Sequence, residues 1–203
     1  MLVAVDTGGT KTLVASFLED GRIGEQFKFP TPLSTAEYIT ELRDVLESHF
    51  GQETVEALVI GVPGIVKNGV AVWCNNLKWK NFDVATALKG VLNNAPILVE
   101  NDANLAGLAE TRQLTGKKPD LSLYVTISTG IGSGIITDGV INHALRFSEA
   151  GRSLVEYDGA VREWESFASG KAIYAAYGTY AKDITSKRSW HQIADRISRG
   201  YLA

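Results

Sequence analysis

The sequence predicts an α/β protein of two lobes, because strands alternate with helices and a glycine turn occurs twice between strands. The first turn, residues 6–11 (DTGGTK), and the second, residues 128–134 (STGIGSG), each follow one apolar run and lead into another. The chain therefore repeats a module of strand, glycine turn and strand. Hydrophobic residues make up 45% of the 203 residues, which is enough to bury a core.

The first lobe, residues 1–115, is predicted from a series of apolar runs separated by turns. These runs predict strands at residues 2–6, 12–18, 22–29, 55–60 and 97–100. Helical spacing of apolar residues predicts helices at residues 34–50, 83–93 and 103–113. Ser34 and Glu37 fit a capping box at the start of the first of these helices.

The second lobe, residues 116–203, begins within a polar stretch at residues 113–120 that we predict to be the linker. Apolar runs on either side of the second glycine turn predict strands at residues 121–127 and 135–137. A last helix is predicted at residues 190–201, with an apolar stripe from Trp190 to Tyr201 that we expect to be exposed. Gly200 is an alternative end for this helix, as a C-cap.

The two glycine turns predict a clamp for a polyphosphate. Glycine permits positive φ and close backbone approach, so the amide N–H groups of such a turn can face the oxygens of an anion. The spacing differs from the Walker and dinucleotide-binding patterns, both of which lead from a strand into a helix. The alternative is a pair of tight β-hairpins without a ligand, since glycine-rich turns are common at strand ends.

Composition excludes several classes of function. The net charge of −3 and the pI of about 5.7 provide no basic face, so we expect no nucleic-acid partner. The sequence has no apolar stretch long enough for a bilayer and no signal-peptide pattern, so we expect a cytoplasmic protein without a membrane partner. Cys74 is the single cysteine, which rules out an internal disulfide and a thiolate zinc cage.

Asn101 and Asp102 are the catalytic candidates, at the junction of a predicted strand and helix. One interpretation is that either residue is simply the N-cap of the helix. The other is that Asp102 is a general base for a substrate hydroxyl, because a carboxylate at the carboxyl end of a strand stands where α/β sheets bind ligands.

Residues 6–11 and 101–104 (NDAN) resemble the phosphate and sugar motifs of the ROK family of sugar kinases and repressors. That family belongs to the actin, hexokinase and heat-shock ATPase superfamily. The resemblance therefore implies a ribonuclease H-like fold of duplicated lobes, of which the second is incomplete here. It implies that Asp102 takes the proton of the attacking sugar hydroxyl. The nucleotide phosphates would be bound by Asp6, Gly8, Gly9, Thr10, Lys11, Thr129 and Gly130, with Mg²⁺ held near Asp6 through water.

Further stretches occur in the order of the family's sugar site: residues 63–64 (PG), 75–79 (NNLKW), 149–152 (EAGR) and 165–170 (ESFASG). For each, the alternative is an ordinary turn, loop or surface residue. The sugar-binding residues that the resemblance implies are Gly64, Asn75, Asn76, Asn101, Glu149, Arg152 and Glu165.

One departure from the family pattern concerns zinc. Arg152 stands where the family commonly has a zinc-binding histidine, and residues 155–165 contain neither cysteine nor histidine. Because arginine does not bind metal and the thiolates are absent, we predict no zinc site. Arg152 either contacts a hydroxyl or a carboxylate such as Glu165, or is a solvated surface residue.

The resemblance implies a glucokinase-like enzyme that transfers the γ-phosphate of ATP to a hexose or an N-acetylhexosamine, with Mg²⁺. Family members are longer and carry their adenosine contacts beyond the part that matches residues 1–203. We therefore expect a truncated kinase, inactive alone, that is able to form a homodimer when full-length. The alternatives are a non-catalytic sugar-binding protein and a ROK-type transcriptional regulator without its DNA-binding part. Polyphosphate as the phosphoryl donor stays open.

Overall fold

The computed structural model describes residues 1–116 and 119–202, and the chain forms two compact units, Met1–Leu105 and Ala106–Ala203. Each unit contains one strand, glycine turn and strand module. The predicted linker at residues 113–120 includes Lys117 and Lys118, which lie outside the described residues. The predicted lobe boundary after residue 115 lies within this linker. Both therefore stay predictions.

The first unit is built on a five-stranded sheet with the order β3-β2-β1-β4-β8. Its strands are β1 (Leu2–Thr7), β2 (Lys11–Phe17), β3 (Ile23–Pro30), β4 (Ala57–Val62) and β8 (Ile97–Asn101). The first three strands are antiparallel, whereas β1, β4 and β8 are parallel. The carboxyl ends of these parallel strands therefore lie along one edge of the sheet, which is where α/β proteins place their ligands.

Helix α1 (Thr35–Phe50) covers this sheet and confirms the predicted helix. The Ser34 hydroxyl accepts a hydrogen bond from the Glu37 N–H at 3.4 Å and caps the helix. Residues spaced four apart form its buried face, because this spacing returns to the same side of an α-helix. They are Tyr38, Leu42, Leu46 and Phe50.

A second, three-stranded sheet of the first unit was not predicted. It consists of β5 (Ile65–Lys67), β6 (Val70–Cys74) and β7 (Trp79–Asp83), in that order. Asn68 and Gly69 join β5 to β6 with φ angles of 51° and 81°. An Asn-Gly pair between apolar residues is a strong hairpin signal, so the sequence did contain the information.

The helix predicted at residues 83–93 is wrong. The structure has one helical turn, α2 (Val84–Ala87), and a separate 3₁₀ turn at Val91–Asn94. Hydrogen bonds from α1 hold the segment in this irregular form: Arg43 donates to the Ala87 carbonyl at 2.7 Å, and Glu47 accepts from the Leu92 N–H at 3.1 Å. Tertiary contacts thus override the helical spacing.

Helix α3 (Asp102–Gln113) leads from the first unit into the second, whose main sheet has the order β11-β10-β9. The strands are β9 (Leu121–Ile127), β10 (Ile131–Thr137) and β11 (Val140–Ile141). The predicted start of the second strand at residue 135 is wrong, because Ile131 already pairs with Ile127. Only residues 128–130 therefore form the second glycine turn.

The remainder of the second unit is a β-hairpin followed by helices. The hairpin comprises β12 (Leu154–Tyr157) and β13 (Ala160–Glu163), and the helices are α4 (Glu165–Ala168), α5 (Gly170–Tyr177) and α6 (Lys187–Tyr201). Among the described residues, no helix is both long and apolar enough to cross a bilayer.

The apolar stripe of α6 is only partly covered. Trp190, Ala194 and Tyr201 are exposed, as expected, whereas Ile193 and Ile197 are not. Ile193 is fully buried, and Ile197 packs against the cluster that contains Trp164 and Phe167. Gly200 lies inside α6, not at its C-cap, and a Cβ added there would lie 2.0 Å from a Trp164 ring carbon. The absence of a side chain at Gly200 therefore lets α6 approach the indole ring.

This contact gives the first testable prediction. Alanine in place of glycine inside a helix normally stabilises it by about 1 kcal/mol. In Gly200→Ala the sign should reverse, because the new methyl group has to displace Trp164, and overpacking of this kind costs about 1–3 kcal/mol. Urea denaturation followed by tryptophan fluorescence measures the change. Ser198→Ala, at an exposed position of the same helix, is the control. A Gly200→Ala variant at least as stable as wild type would contradict this packing.

Candidate active site

The side chain of Asn101 connects the loop after β4 to the start of α3, which follows the neighbouring strand β8. Its Nδ2 donates to the Gly64 carbonyl at 2.8 Å, and its Oδ1 accepts from the Asn104 N–H at 2.9 Å. It therefore caps α3, as the structural interpretation predicted, and also fixes the loop after β4. An amide side chain has two donors and an oxygen with two lone pairs, so one hydrogen and one lone pair remain available for a ligand.

Glu100 supports this arrangement and was missed in the sequence analysis. Its Oε1 accepts from the Asn101 N–H at 2.8 Å and from Asn104 Nδ2 at 3.1 Å. One carboxylate oxygen thus joins the last residue of β8 to the first turn of α3. The only sequence signal was its position directly before Asn101, where an acidic residue also fits an ordinary strand end.

Asp102 follows directly, as the first residue of α3. Its Oδ1 accepts from the Ala103 N–H at 2.8 Å. Burial raises the pKa of the Asp102 carboxyl above its ordinary value, and the negative charge of Asp6 raises it further, against the lowering effect of the Ala103 hydrogen bond. A half-buried carboxylate with a raised pKa is a better proton acceptor than an exposed one.

Gly64 follows β4 in a conformation that requires glycine. Its φ is +86°, and a Cβ would lie 2.2 Å from the Trp73 carbonyl oxygen. The loop therefore passes directly over β6 and presents the Gly64 carbonyl to Asn101. Residues 63–64 therefore form a turn, as one interpretation predicted, and this turn is also hydrogen-bonded to the catalytic candidate Asn101.

The first glycine turn joins β1 to β2. Thr7 pairs with Thr12 across the hairpin, and the Gly8 N–H donates to the Lys11 carbonyl at 3.0 Å. Asp6, Gly9, Thr10 and Lys11 are exposed, whereas Thr7 is buried with its hydroxyl 2.8 Å from the Tyr38 hydroxyl. Burial raises the pKa of Tyr38, so its hydroxyl keeps the proton and the pair stays hydrogen-bonded.

The loop between β6 and β7 contains Asn75 and Asn76, both exposed. Leu77 and Trp79 anchor it in the core, and Trp79 Nε1 donates to the Leu33 carbonyl at 2.9 Å. A Cβ added at Gly9 would lie 3.4 Å from the Asn76 Cβ, so this loop reaches the first glycine turn. The first unit thus places Asn76 beside a residue predicted to bind phosphate.

The second glycine turn, at residues 128–130, closes through a hydrogen bond from the Ser128 N–H to the Gly130 carbonyl at 2.9 Å. Ser128 and Thr129 are exposed. Both predicted phosphate turns are therefore tight β-hairpins, and their role as a polyphosphate clamp stays a prediction.

Arg152 forms an ion pair with Glu163, with 3.0 Å between Nη1 and Oε1. One interpretation of the sequence was that Arg152 contacts a hydroxyl or a carboxylate such as Glu165. The structure shows a carboxylate contact, but its partner is Glu163. The side chain of Arg152 is 42% exposed, so Arg152 is a paired residue at the surface of the protein. The Glu165 carboxylate instead accepts the Ile131 N–H at 3.0 Å, and the half-buried Glu149 precedes the 3₁₀ turn at Ala150–Arg152. These residues lie in the second unit, with Thr129 and Gly130.

The metal predictions concern two different ions. Carboxylate oxygens suit Mg²⁺, and Asp6 and Asp102 lie close enough for the charge of one to affect the other, so these residues fit that ion. Within residues 1–116 and 119–202, no group of three or more histidine, cysteine, aspartate or glutamate side chains is arranged to hold a metal. The absence of zinc stays a prediction.

The chain is similar in sequence to known proteins. The ROK family profile matches residues 2–197. A putative fructokinase from Bacillus subtilis (strain 168) is 30% identical over an alignment of 204 positions, which covers 91% of this chain and 66% of that protein. An N-acetylmannosamine kinase from Citrobacter koseri is 32% identical, over 86% of this chain and 63% of its own length. The chain spans about two thirds of the length of these relatives.

Solved structures share the fold. A ROK family glucokinase from Streptomyces griseus, in complex with glucose and AMPPNP, has a TM-score of 0.72 and 29% identity and covers 86% of this chain and 59% of its own. A ROK family transcriptional regulator, a homologue of the Escherichia coli MLC protein, has a TM-score of 0.75 at 20% identity, over 86% of this chain and 48% of its own, and shows the fold alone. The predicted hexokinase-like fold is confirmed.

The raised pKa of Asp102 predicts a pH-dependent cost in stability. Below its ordinary value of 3.8 the carboxyl is protonated in both the folded and the unfolded state. As the pH rises through the raised value, the unfolded state ionises more readily and the free energy of unfolding falls. Asp102→Asn removes this cost, so its Tm should exceed that of wild type at about pH 7, by about 2–4 °C for each kcal/mol relieved.

Thermal denaturation of both proteins between about pH 3 and pH 7 measures this difference, which should vanish at the acid end. The control is Asp20→Asn, because the Arg22 N–H and guanidinium lower the pKa of Asp20, and its removal should not stabilise the protein at any pH. An Asp102→Asn variant no more stable than wild type near neutrality would show that the ionised Asp102 carboxylate does not lower the free energy of unfolding.

Proposed function

The chain belongs to the ROK family, and from this premise we propose that the natural protein containing it is a sugar kinase. The reaction is transfer of the ATP γ-phosphate to a hydroxyl of a hexose or an N-acetylhexosamine. The observation that carries the proposal is Asp102, a half-buried carboxylate of raised pKa at the carboxyl end of β8. Because this chain spans about two thirds of its curated relatives, the activity is proposed for the natural protein and not for residues 1–203 alone.

Asp102 acts as the general base. Its carboxylate takes the proton of the attacking sugar hydroxyl as the oxygen forms its bond to the γ-phosphorus and ADP leaves. Asn101 contributes the remaining amide hydrogen and lone pair to a neighbouring hydroxyl, while its other contacts keep it in place. Gly64, Asn75 and Asn76 line the same side of the sugar.

The phosphates are held by the two glycine turns. The exposed residues Gly9 and Thr10 offer backbone donors and Lys11 offers a positive charge, while the Gly8 N–H closes the turn on the Lys11 carbonyl. Thr129 and Gly130 offer a second set of donors. Most of the rate acceleration in phosphoryl transfer comes from positioning and from charge stabilisation, which is the role proposed for both hairpins. Mg²⁺, when bound near Asp6 and Asp102, offsets the phosphate charge.

The substrate class rests on the relatives. Those above are named for fructose and N-acetylmannosamine, and the related glucokinase structure contains glucose. A hexose or an N-acetylhexosamine is therefore the class to test, with ATP first and polyphosphate as the alternative donor.

A non-catalytic sugar-binding protein is the second candidate. Arg152 and Glu165 both contact other parts of the protein, and this occupies two of the groups predicted to bind sugar. Incubation of the natural protein with hexoses, N-acetylhexosamines and ATP, with ADP formation as the readout, separates an enzyme from a binder. ADP formation that depends on the sugar supports the kinase, whereas sugar binding without ADP supports the binder.

The base assignment predicts the effect of Asp102→Asn on turnover. Asparagine keeps an oxygen that can accept the Ala103 N–H but cannot accept the proton, so kcat should fall by roughly 10²–10⁴-fold while the fold is retained. The matched control is Asp83→Asn, because Asp83 caps α2 through the Thr86 N–H at 2.9 Å and lies outside the proposed site. Steady-state kinetics on the natural protein give both values. Near-normal turnover in a folded Asp102→Asn variant would remove Asp102 from the role of general base.

A further inference from the structure

The carboxylate of Glu165 lies against the second glycine turn. Its Oε2 accepts a hydrogen bond from the Ile131 N–H at 3.0 Å, and Ile131 directly follows the turn at residues 128–130. The sequence analysis assigned Glu165 to the sugar and Gly130 to phosphate. The structure brings these two assignments into contact within one unit of the protein.

Two glycines leave the space that this carboxylate occupies. A Cβ added at Gly130 would lie 2.5 Å from Glu165 Oε2, and one added at Gly151 would lie 3.2 Å from the same oxygen. Gly130 belongs to the phosphate turn, and Gly151 lies between the predicted sugar residues Glu149 and Arg152. The carboxylate therefore lies against the backbones of both segments, and at Gly151 a Cβ would lie closer still, 2.5 Å, to the Ile131 carbonyl oxygen.

The first residue of α5, five positions after Glu165, holds the other end of the turn. The Gly170 N–H donates to the Ser128 carbonyl at 2.7 Å, and a Cβ at Gly170 would lie 2.4 Å from that oxygen. Residues 165–170 thus contact the turn at its first residue, through a backbone donor, and just after its last residue, through a carboxylate. The turn is fixed at both ends from one side.

Charge makes this arrangement unusual. A carboxylate repels a phosphate, so placing one beside a phosphate-binding turn is unfavourable unless the carboxylate does something else there. Holding the Ile131 N–H uses one of its two oxygens. The second oxygen can still accept a sugar hydroxyl, since an ionised carboxylate has several acceptor positions.

We propose that Glu165 is a positioning residue for the second phosphate turn, joining the sugar-binding segment to the nucleotide phosphates through the Ile131 amide. This inference rests on the proposed function, which it deepens.

The first part of the test uses the 203-residue chain without ligands. Glu165→Ala removes the acceptor of the Ile131 N–H, and Glu165→Gln keeps an oxygen there without the charge. Glu163→Gln is the matched control, because Glu163 pairs with Arg152 and not with the turn. Hydrogen exchange of the Ile131 amide, followed by NMR, should accelerate about tenfold or more in Glu165→Ala and should stay close to wild type in the other two variants.

The second part measures binding of Mg²⁺·ATP and of inorganic tripolyphosphate, from the shift of the Gly130 amide in the same spectra. We expect at least about tenfold weaker binding of both in Glu165→Ala and near wild-type or tighter binding in Glu165→Gln, which keeps the hydrogen bond and loses the repulsion. A role in folding alone would lower the Tm of Glu165→Ala without this separation between the alanine and glutamine variants.

Several outcomes would overturn the proposal. They are unchanged Ile131 exchange in Glu165→Ala, equal phosphate affinity in wild type and Glu165→Ala, and a Gly130 amide that responds to neither phosphate compound. Phosphate binding that follows the expected order, in a protein that phosphorylates no sugar, would leave Glu165 as a positioning residue and would remove the proposed kinase activity. The two claims therefore fail separately.

Discussion

The hydrogen bonds of the Asn101 side chain are the interaction on which the first unit's site depends. They connect the Gly64 carbonyl after β4 to the start of α3 after β8, at distances of 2.8 and 2.9 Å. Without this connection, two loops at neighbouring strand ends would be free to move independently. With this connection, Asp102 has a fixed position beside the loop. Glu100 stabilises the same region by accepting hydrogen bonds from Asn101 and Asn104. One residue thus caps a helix and organises a ligand site.

The cost of this site is visible in the electrostatics. Asp102 is half-buried and lies near the like charge of Asp6, and both conditions raise the pKa of its carboxyl. A protein selected only for stability would not retain such a group, because burial of an ionised carboxylate opposes folding. Groups with perturbed pKa values cluster at functional sites, and this supports a chemical role for Asp102 beyond capping.

The sequence predicted the regular elements well, because their hydrophobic spacing survives in the fold: β1, β4, β8 and α1 all bury the faces that their apolar residues indicate. It failed where tertiary hydrogen bonds decide the backbone, as in the segment that Arg43 and Glu47 hold out of helical form. The β5–β6 hairpin was overlooked despite its Asn-Gly turn. Site residues could be proposed from motifs, but their partners could not, since the Arg152–Glu163 pair and the Glu165–Ile131 contact depend on chain packing.

The central claim is that the fold holds Asp102 as a buried proton acceptor at the carboxyl end of β8. The most direct test is a carbon-detected NMR titration of the Asp102 side-chain carboxyl in the ligand-free chain, repeated in an Asp6→Asn variant. The account predicts a titration midpoint above the ordinary value of 3.8, which decreases when the charge of Asp6 is removed but stays above it, because burial is the larger cause. A midpoint at or below 3.8 would contradict the account, since burial would then not raise the pKa of the Asp102 carboxyl.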